Sequence, residues 1–242
     1  MLTFPWNFEE VITDVQTQYP TLPESNYWHK FMVNTRSVVD MNTLFREFHQ
    51  FSAIPDYDGL QLICEPKLAN YVSESLKRIH FHGLDVEMAN LTIEQPSIKV
   101  LKAEVHHGLN VVRSQNLKLE EYNVSKSKFM GATWNTYIPK DPKKDTRDAF
   151  QVFDFTNHRP YLVQLTCLVE SPMKLFVMNQ NYSQILFGNN DEEVVKNVVK
   201  FEANLRWFDF WNLLPVENKK IGNWRISDFN NVLDENPLFD QE

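Results

Sequence analysis

The run His80-Phe81-His82 is the sharpest local chemistry in the sequence. In an extended strand, residues i and i+2 share a face, so both imidazoles could hold one metal ion. With a tyrosine nucleophile, for which Tyr122 is the candidate, such an ion would polarise a scissile phosphate as in a metal-dependent nickase. No third ligand is fixed by spacing, and a formal net charge of −8 works against a nucleic-acid substrate. His106 and His107 are adjacent, so in a strand their side chains diverge and cannot share a ligand. No GxSxG elbow, HExxH helix or cysteine–histidine signature is present. Glu9-Glu10 and Asp191-Glu192-Glu193 read as solvated faces or helix caps. Cys64 and Cys167 lie 103 residues apart, a spacing for two buried thiols rather than a metal knuckle. With 6 glycines in 242 residues, the chain has little material for phosphate-cradling loops, and neither GxGxxG nor GxxxxGK[ST] occurs. The expectation is a chain without catalytic residues, cofactor or metal.

Charge distribution says more than charge total. Residues 113–147 hold eight basic side chains against four acidic ones, a local +4 that leaves −12 on the rest. Lys118, Lys126, Lys128, Lys140, Lys143, Lys144 and Arg147 are the candidate partner contacts there. An acidic body with one basic segment suits a local contact with phosphate or an acidic neighbour, not general nucleic-acid binding. Phe4, Trp6 and Phe8, and later Trp28, lie on an N-terminal stretch with no sheet to join, so Trp6 and Trp28 are read as exposed anchors for a partner. Trp207-Phe208-Asp209-Phe210-Trp211 serves either a core or a docking edge. After Arg225 no basic residue follows, and the tail is acidic.

The elements that position these groups follow from periodicity. Phe8, Val11, Ile12 and Val15 mark a first helix, which Pro20 and Pro23 end. A second is expected over 40–51 with Asp40 as its cap, and a third from Pro66 with Leu68, Val72, Leu76 and Ile79 on one side. Beyond residue 80 the period becomes two: Leu84, Val86 and Met88 alternate, and 97–112 is read as strand although helical spacing also fits. The basic window reads as a long loop with one strand near Trp134. Tyr161, Val163, Leu165, Cys167 and Val169 alternate strictly, and a turn at 179–181 separates 173–178 from 184–187. Residues 194–211 fit a helix or a strand, and Trp224-Arg225-Ile226 closes the regular structure. Helices followed by antiparallel strands make an α+β layout, not alternating βαβ. No stretch reaches eighteen consecutive apolar residues, so no spanning helix is expected. No signal peptide or Arg-rich targeting helix is visible at the N-terminus, where Glu9, Glu10 and Asp14 interrupt the apolar face. The organisation expected is an N-terminal extension over 1–39, one domain over 40–230 with a basic insertion at about 113–147, and an acidic tail over 231–242.

Four segments carry a resemblance: 161–178 (YLVQLTCLVESPMKLFVM), Gln184-Ile-Leu-Phe-Gly188, Val198-Val-Lys-Phe-Glu-Ala-Asn-Leu205 and Gly222-Asn-Trp-Arg-Ile226. Their order resembles the C-terminal domain of a mitochondrial family comprising the matrix-side anchor subunit of the inner-membrane import motor and a related large-subunit mitochondrial ribosomal protein. The likeness covers roughly the last two-thirds of the chain and makes 194–205 a strand. It implies a cone-like α+β domain similar to the nuclear-transport-factor-two fold, with helices packed across a curved, mostly antiparallel sheet. It implies a non-enzymatic docking subunit at the matrix face of the mitochondrial inner membrane, peripheral rather than spanning. Its partners would be protein subunits of a large complex, with ribosomal RNA on the basic insertion. The large mitochondrial ribosomal subunit is the first choice, with a respiratory or protein-translocase complex as the alternative.

Overall fold

The computed structural model describes residues 26–34, 36–89, 96–107, 119–141, 161–179, 184–205 and 224–233. Among them are four α-helices: α1 (Tyr27–Asn34), α2 (Ser37–Ala53), α3 (Tyr57–Ile63) and α4 (Pro66–Phe81). Seven strands follow: β1 (Leu84–Ala89), β2 (Ser97–His107), β3 (Tyr122–Phe129), β4 (Ala132–Pro139), β5 (Tyr161–Asn179), β6 (Ile185–Leu205) and β7 (Arg225–Phe229). The architecture is α+β, as expected, and no described helix is long and apolar enough to cross a membrane.

Local chemistry sets the helix ends. Pro66 occupies the first turn of α4, where its missing N–H costs nothing, and the Glu65 carboxylate accepts from Lys67 N at 2.8 Å. Leu68, Val72, Leu76 and Ile79 bury one stripe. The helix closes where His82 N donates to Arg78 O and Gly83, at φ 71°, turns into the left-handed region open to glycine. Asp56 caps α3 by accepting from Gly59 N at 2.9 Å. α2 begins at Ser37, so Asp40 lies within its first turn and is not its cap.

The strands form one sheet in the order β3-β4-β2-β5-β6-β7. All pairings are antiparallel except β2 with β4. β5 is the spine. Its first half pairs with β2, its second half with β1, and β6 runs along its other edge from Leu205 to Ile185. Register shifts at Val100/Lys102, Met173/Leu175, Val177/Met178 and Lys200/Phe201 are the local irregularities by which long strands bend. Alternate residues of the sheet, among them Val105, Val163, Leu165, Cys167, Val199, Phe201 and Leu205, pack with the buried faces of the helices in one core. Both cysteines are buried free thiols there, and burial raises the pKa of each. β7 locks the layers together. Ile226 O accepts from Glu65 N at 2.8 Å, and Trp224 Nε1 donates to Ser37 Oγ at 3.1 Å. Beyond β7, Asn230 at φ 52° accepts from Val198 N through its side chain and donates its own N–H to Val198 O, prolonging the β6–β7 pairing.

α1 corrects the expected domain boundary. Trp28, Phe31 and Met32, at i, i+3 and i+4, are all buried in the core. The segment from Tyr27 onwards therefore belongs to the domain instead of extending from it. Trp28 is a core residue, not an exposed anchor, with its ring edge-to-face on Phe31 at 5.5 Å.

His49 on α2 sits among Phe45, Phe48 and Phe229 with its Nδ1 2.8 Å from Phe45 O. A carbonyl only accepts, so Nδ1 carries the proton whichever charge state the ring holds. Burial lowers its pKa from 6.5 to about 4. The unfolded chain then binds a proton that the native state refuses. Stability contributed by this site is complete above pH 6.5 and declines as pH falls towards 4, by about 3 kcal/mol in all. Denaturant titrations between pH 7 and pH 4 should show this slope, and His49→Leu should flatten it.

Candidate docking surface

The basic window is an ordered hairpin over much of its length, not the expected loop with one strand. β3 and β4 pair without a register shift from Tyr122↔Pro139 to Phe129↔Ala132. The two loop residues, Met130 at φ 52° and Gly131 at φ 73°, both have positive φ, the pattern of a type I′ turn whose twist matches the strands. Lys140 N donates to Glu121 O at 2.8 Å and closes the base. On the other side, β4 meets β2 only over Thr133–Thr136. Trp134 anchors the hairpin: its ring packs edge-to-face with Tyr161 at 5.9 Å and its Nε1 donates to Phe129 O at 3.0 Å.

The hairpin has a chemical polarity. From Tyr122 to Lys140 it carries three lysines, Lys126, Lys128 and Lys140, and no carboxylate. Every residue of β3 from Asn123 to Phe129 is exposed, so the strand is wet on both faces. Val124 (42% exposed) and Phe129 (48%) add apolar surface beside the lysines. Strand alternation puts Val124, Lys126 and Lys128 on one face. The register continues that same face across the polar side of the sheet. There His106 Nδ1 is 3.1 Å from Tyr137 Oη, Gln164 Nε2 donates to Glu202 Oε2 at 3.1 Å, and Lys102 pairs with Glu104 at 3.0 Å.

Of the lysines and arginines singled out from sequence, Lys126, Lys128 and Lys140 come together on this hairpin. Lys118, Lys143, Lys144, Arg147 and the anchor Trp6 lie outside the described residues, as does the 207–211 aromatic run.

The histidine pair is overturned as a strand motif. His80 lies in the last turn of α4 and His82 is its C-cap. Two positions apart on a helix they point about 200° apart around the axis, so the shared face that motivated a metal site does not exist. Among the described residues no group of three or more His, Cys, Asp or Glu is placed to hold a metal ion. His106 and His107 do diverge: His106 faces Tyr137, while His107 packs on the Tyr161 ring at 5.2 Å. The hairpin itself was the element that sequence reading missed. Its signals were the alternation Ala132, Trp134, Thr136, Ile138 and a glycine at the position of highest φ.

No protein-family model matches the chain, and a search of the curated proteins finds no match.

Proposed function

We propose that this chain is a non-enzymatic docking subunit of an assembly at the matrix face of the mitochondrial inner membrane. The observation that carries the docking half of the reading is the β3–β4 hairpin, exposed on both faces of its outer strand and basic on an acidic body. Such a strand adds little to the core of its own domain, and its charge attracts an acidic or phosphate-bearing neighbour. The mitochondrial half rests on the resemblance of the segments within 161–226, which extends to a cone-like fold of the nuclear-transport-factor-two type. The large mitochondrial ribosomal subunit is the first assembly in this reading. A respiratory or protein-translocase complex is the second, favoured by the net charge of −8, since a broadly RNA-bound protein is ordinarily basic.

Gradient sedimentation of a detergent extract of mitochondria tests the choice. A ribosomal subunit migrates with large-subunit RNA and shifts after nuclease treatment. A respiratory or translocase subunit migrates in a large particle that nuclease leaves intact. A chain that sediments alone at its own 28.6 kDa contradicts the docking reading altogether.

A further inference from the structure

We propose that the outer edge of β3 is completed by an extended, acidic segment of a partner protein, which adds to the sheet as a further strand. This deepens the docking reading of the hairpin and rests on it. Three features carry it.

The first is the position of β3. Among the described residues it pairs only with β4 and ends the strand order. Its eight residues hold no proline, bulge or shortening that would blunt the edge, and of the usual devices they carry only lysine, which acts through charge.

The second is the direction of its main-chain groups. Residues flanking a two-residue loop form a narrow, hydrogen-bonded pair, and such pairs alternate along an antiparallel ladder. Phe129, Ser127, Ser125 and Asn123 therefore spend their N–H and C=O groups on β4. The bond between Lys140 N and Glu121 O continues the same alternation at the base. Tyr122, Val124, Lys126 and Lys128 turn theirs outward. That row offers donors and acceptors in turn, which the edge of another strand matches. A phosphodiester only accepts, so it would leave the carbonyls of the row unmatched.

The third is charge. Lys126 and Lys128 lie on one face, about 7 Å apart along the strand. An added strand with carboxylates at alternating positions brings them opposite the ammonium groups, where opposite charges stabilise and like charges destabilise. A second copy of β3 added to this edge would set lysines among lysines. The edge therefore selects against self-pairing and in favour of an acidic partner.

The test uses the full chain and a monomeric eight-residue peptide with glutamate at alternating positions and threonine or valine between. Controls are the same peptide with lysine for glutamate and a single-stranded RNA octamer. The acidic peptide should bind at least tenfold more tightly than either control. On binding, the amides of Val124, Lys126 and Lys128 should exchange at least tenfold more slowly, while those of Asn123, Ser125 and Ser127 are unchanged. Val124→Pro removes one outward N–H without touching charge or a β4 bond, and should weaken the peptide at least tenfold. Tight binding with no change in exchange at Val124, Lys126 and Lys128 overturns the proposal, as does equal or better binding of the lysine peptide or the RNA. The exchange pattern is read on the unmodified chain, so it decides even if Val124→Pro disturbs folding. A chain that takes the peptide on β3 but sediments alone from mitochondria contradicts the docking-subunit reading, not the strand-addition chemistry.

Discussion

Replacing Lys126, Lys128 and Lys140 together with glutamate is expected to remove the chain from its parent assembly while leaving the isolated domain folded. The three side chains belong to exposed residues of the hairpin. Surface substitutions of this kind usually shift stability by less than about 0.5 kcal/mol each. The local field changes far more than the fold, because three positive charges become three negative ones on a segment with no other charge from Tyr122 to Lys140. An acidic partner that was attracted is then repelled, which slows association and destabilises the bound state. A drop of at least tenfold in the assembled fraction, with unchanged circular dichroism and melting temperature, is the expected outcome. Normal assembly of the triple variant would move the docking surface elsewhere on the molecule.

The largest expected effect on stability lies at Phe229. This ring is fully buried at the end of β7, stacked on Phe48 at 4.6 Å and on Phe45 at 6.3 Å. It joins α2 to the sheet, and Val199 of β6 is its strand partner. Phe229→Ala deletes that contact and leaves a cavity between layers that the helix cannot close without breaking other contacts. The cost should be about 3–5 kcal/mol. For a domain of this size that lowers the melting temperature by roughly 6–20 °C. Phe81→Ala is the matched control: Phe81 is 86% exposed at the end of α4, and its loss should change stability by less than about 0.5 kcal/mol. If the two variants melt together, the α2–β7 seam is not where the layers are held.

What could be seen in the sequence followed burial. β5 was legible because Val163, Leu165, Cys167 and Val169 alternate towards a core that they fill. α4 was legible because its buried stripe and Pro66 agree about where it begins. β3 was not legible. Neither of its faces is buried, so no apolar period marks it, and its turn is Met130-Gly131 instead of the more telling Asn-Gly. Residues 194–205 were ambiguous because Val194, Val195, Val198 and Val199 fit a helical face as well as a strand. Pairing along the whole of β5 decides for strand, and the resemblance had pointed the same way. The histidine pair fails by two residues. The apolar stripe of α4 stops at Ile79, whereas the helix continues to Phe81 until Gly83 permits the exit. Trp28 failed for the opposite reason: Trp28, Phe31 and Met32 already showed a helical stripe, but an eight-residue helix gives too short a pattern to stand out from an extension.

Docking through the outer strand of the hairpin is most directly tested by site-specific photo-cross-linking within the assembled particle. One chain carries the photo-reactive residue in place of Val124 on β3, and a second carries it in place of Leu62 on α3, which is 77% exposed. Both particles are isolated by sedimentation before irradiation. Docking through β3 requires a cross-link from position 124 to a single protein neighbour and none of that species from position 62. Cross-linking to that neighbour from position 62 and none from position 124, in a chain that sediments with the particle, would contradict it.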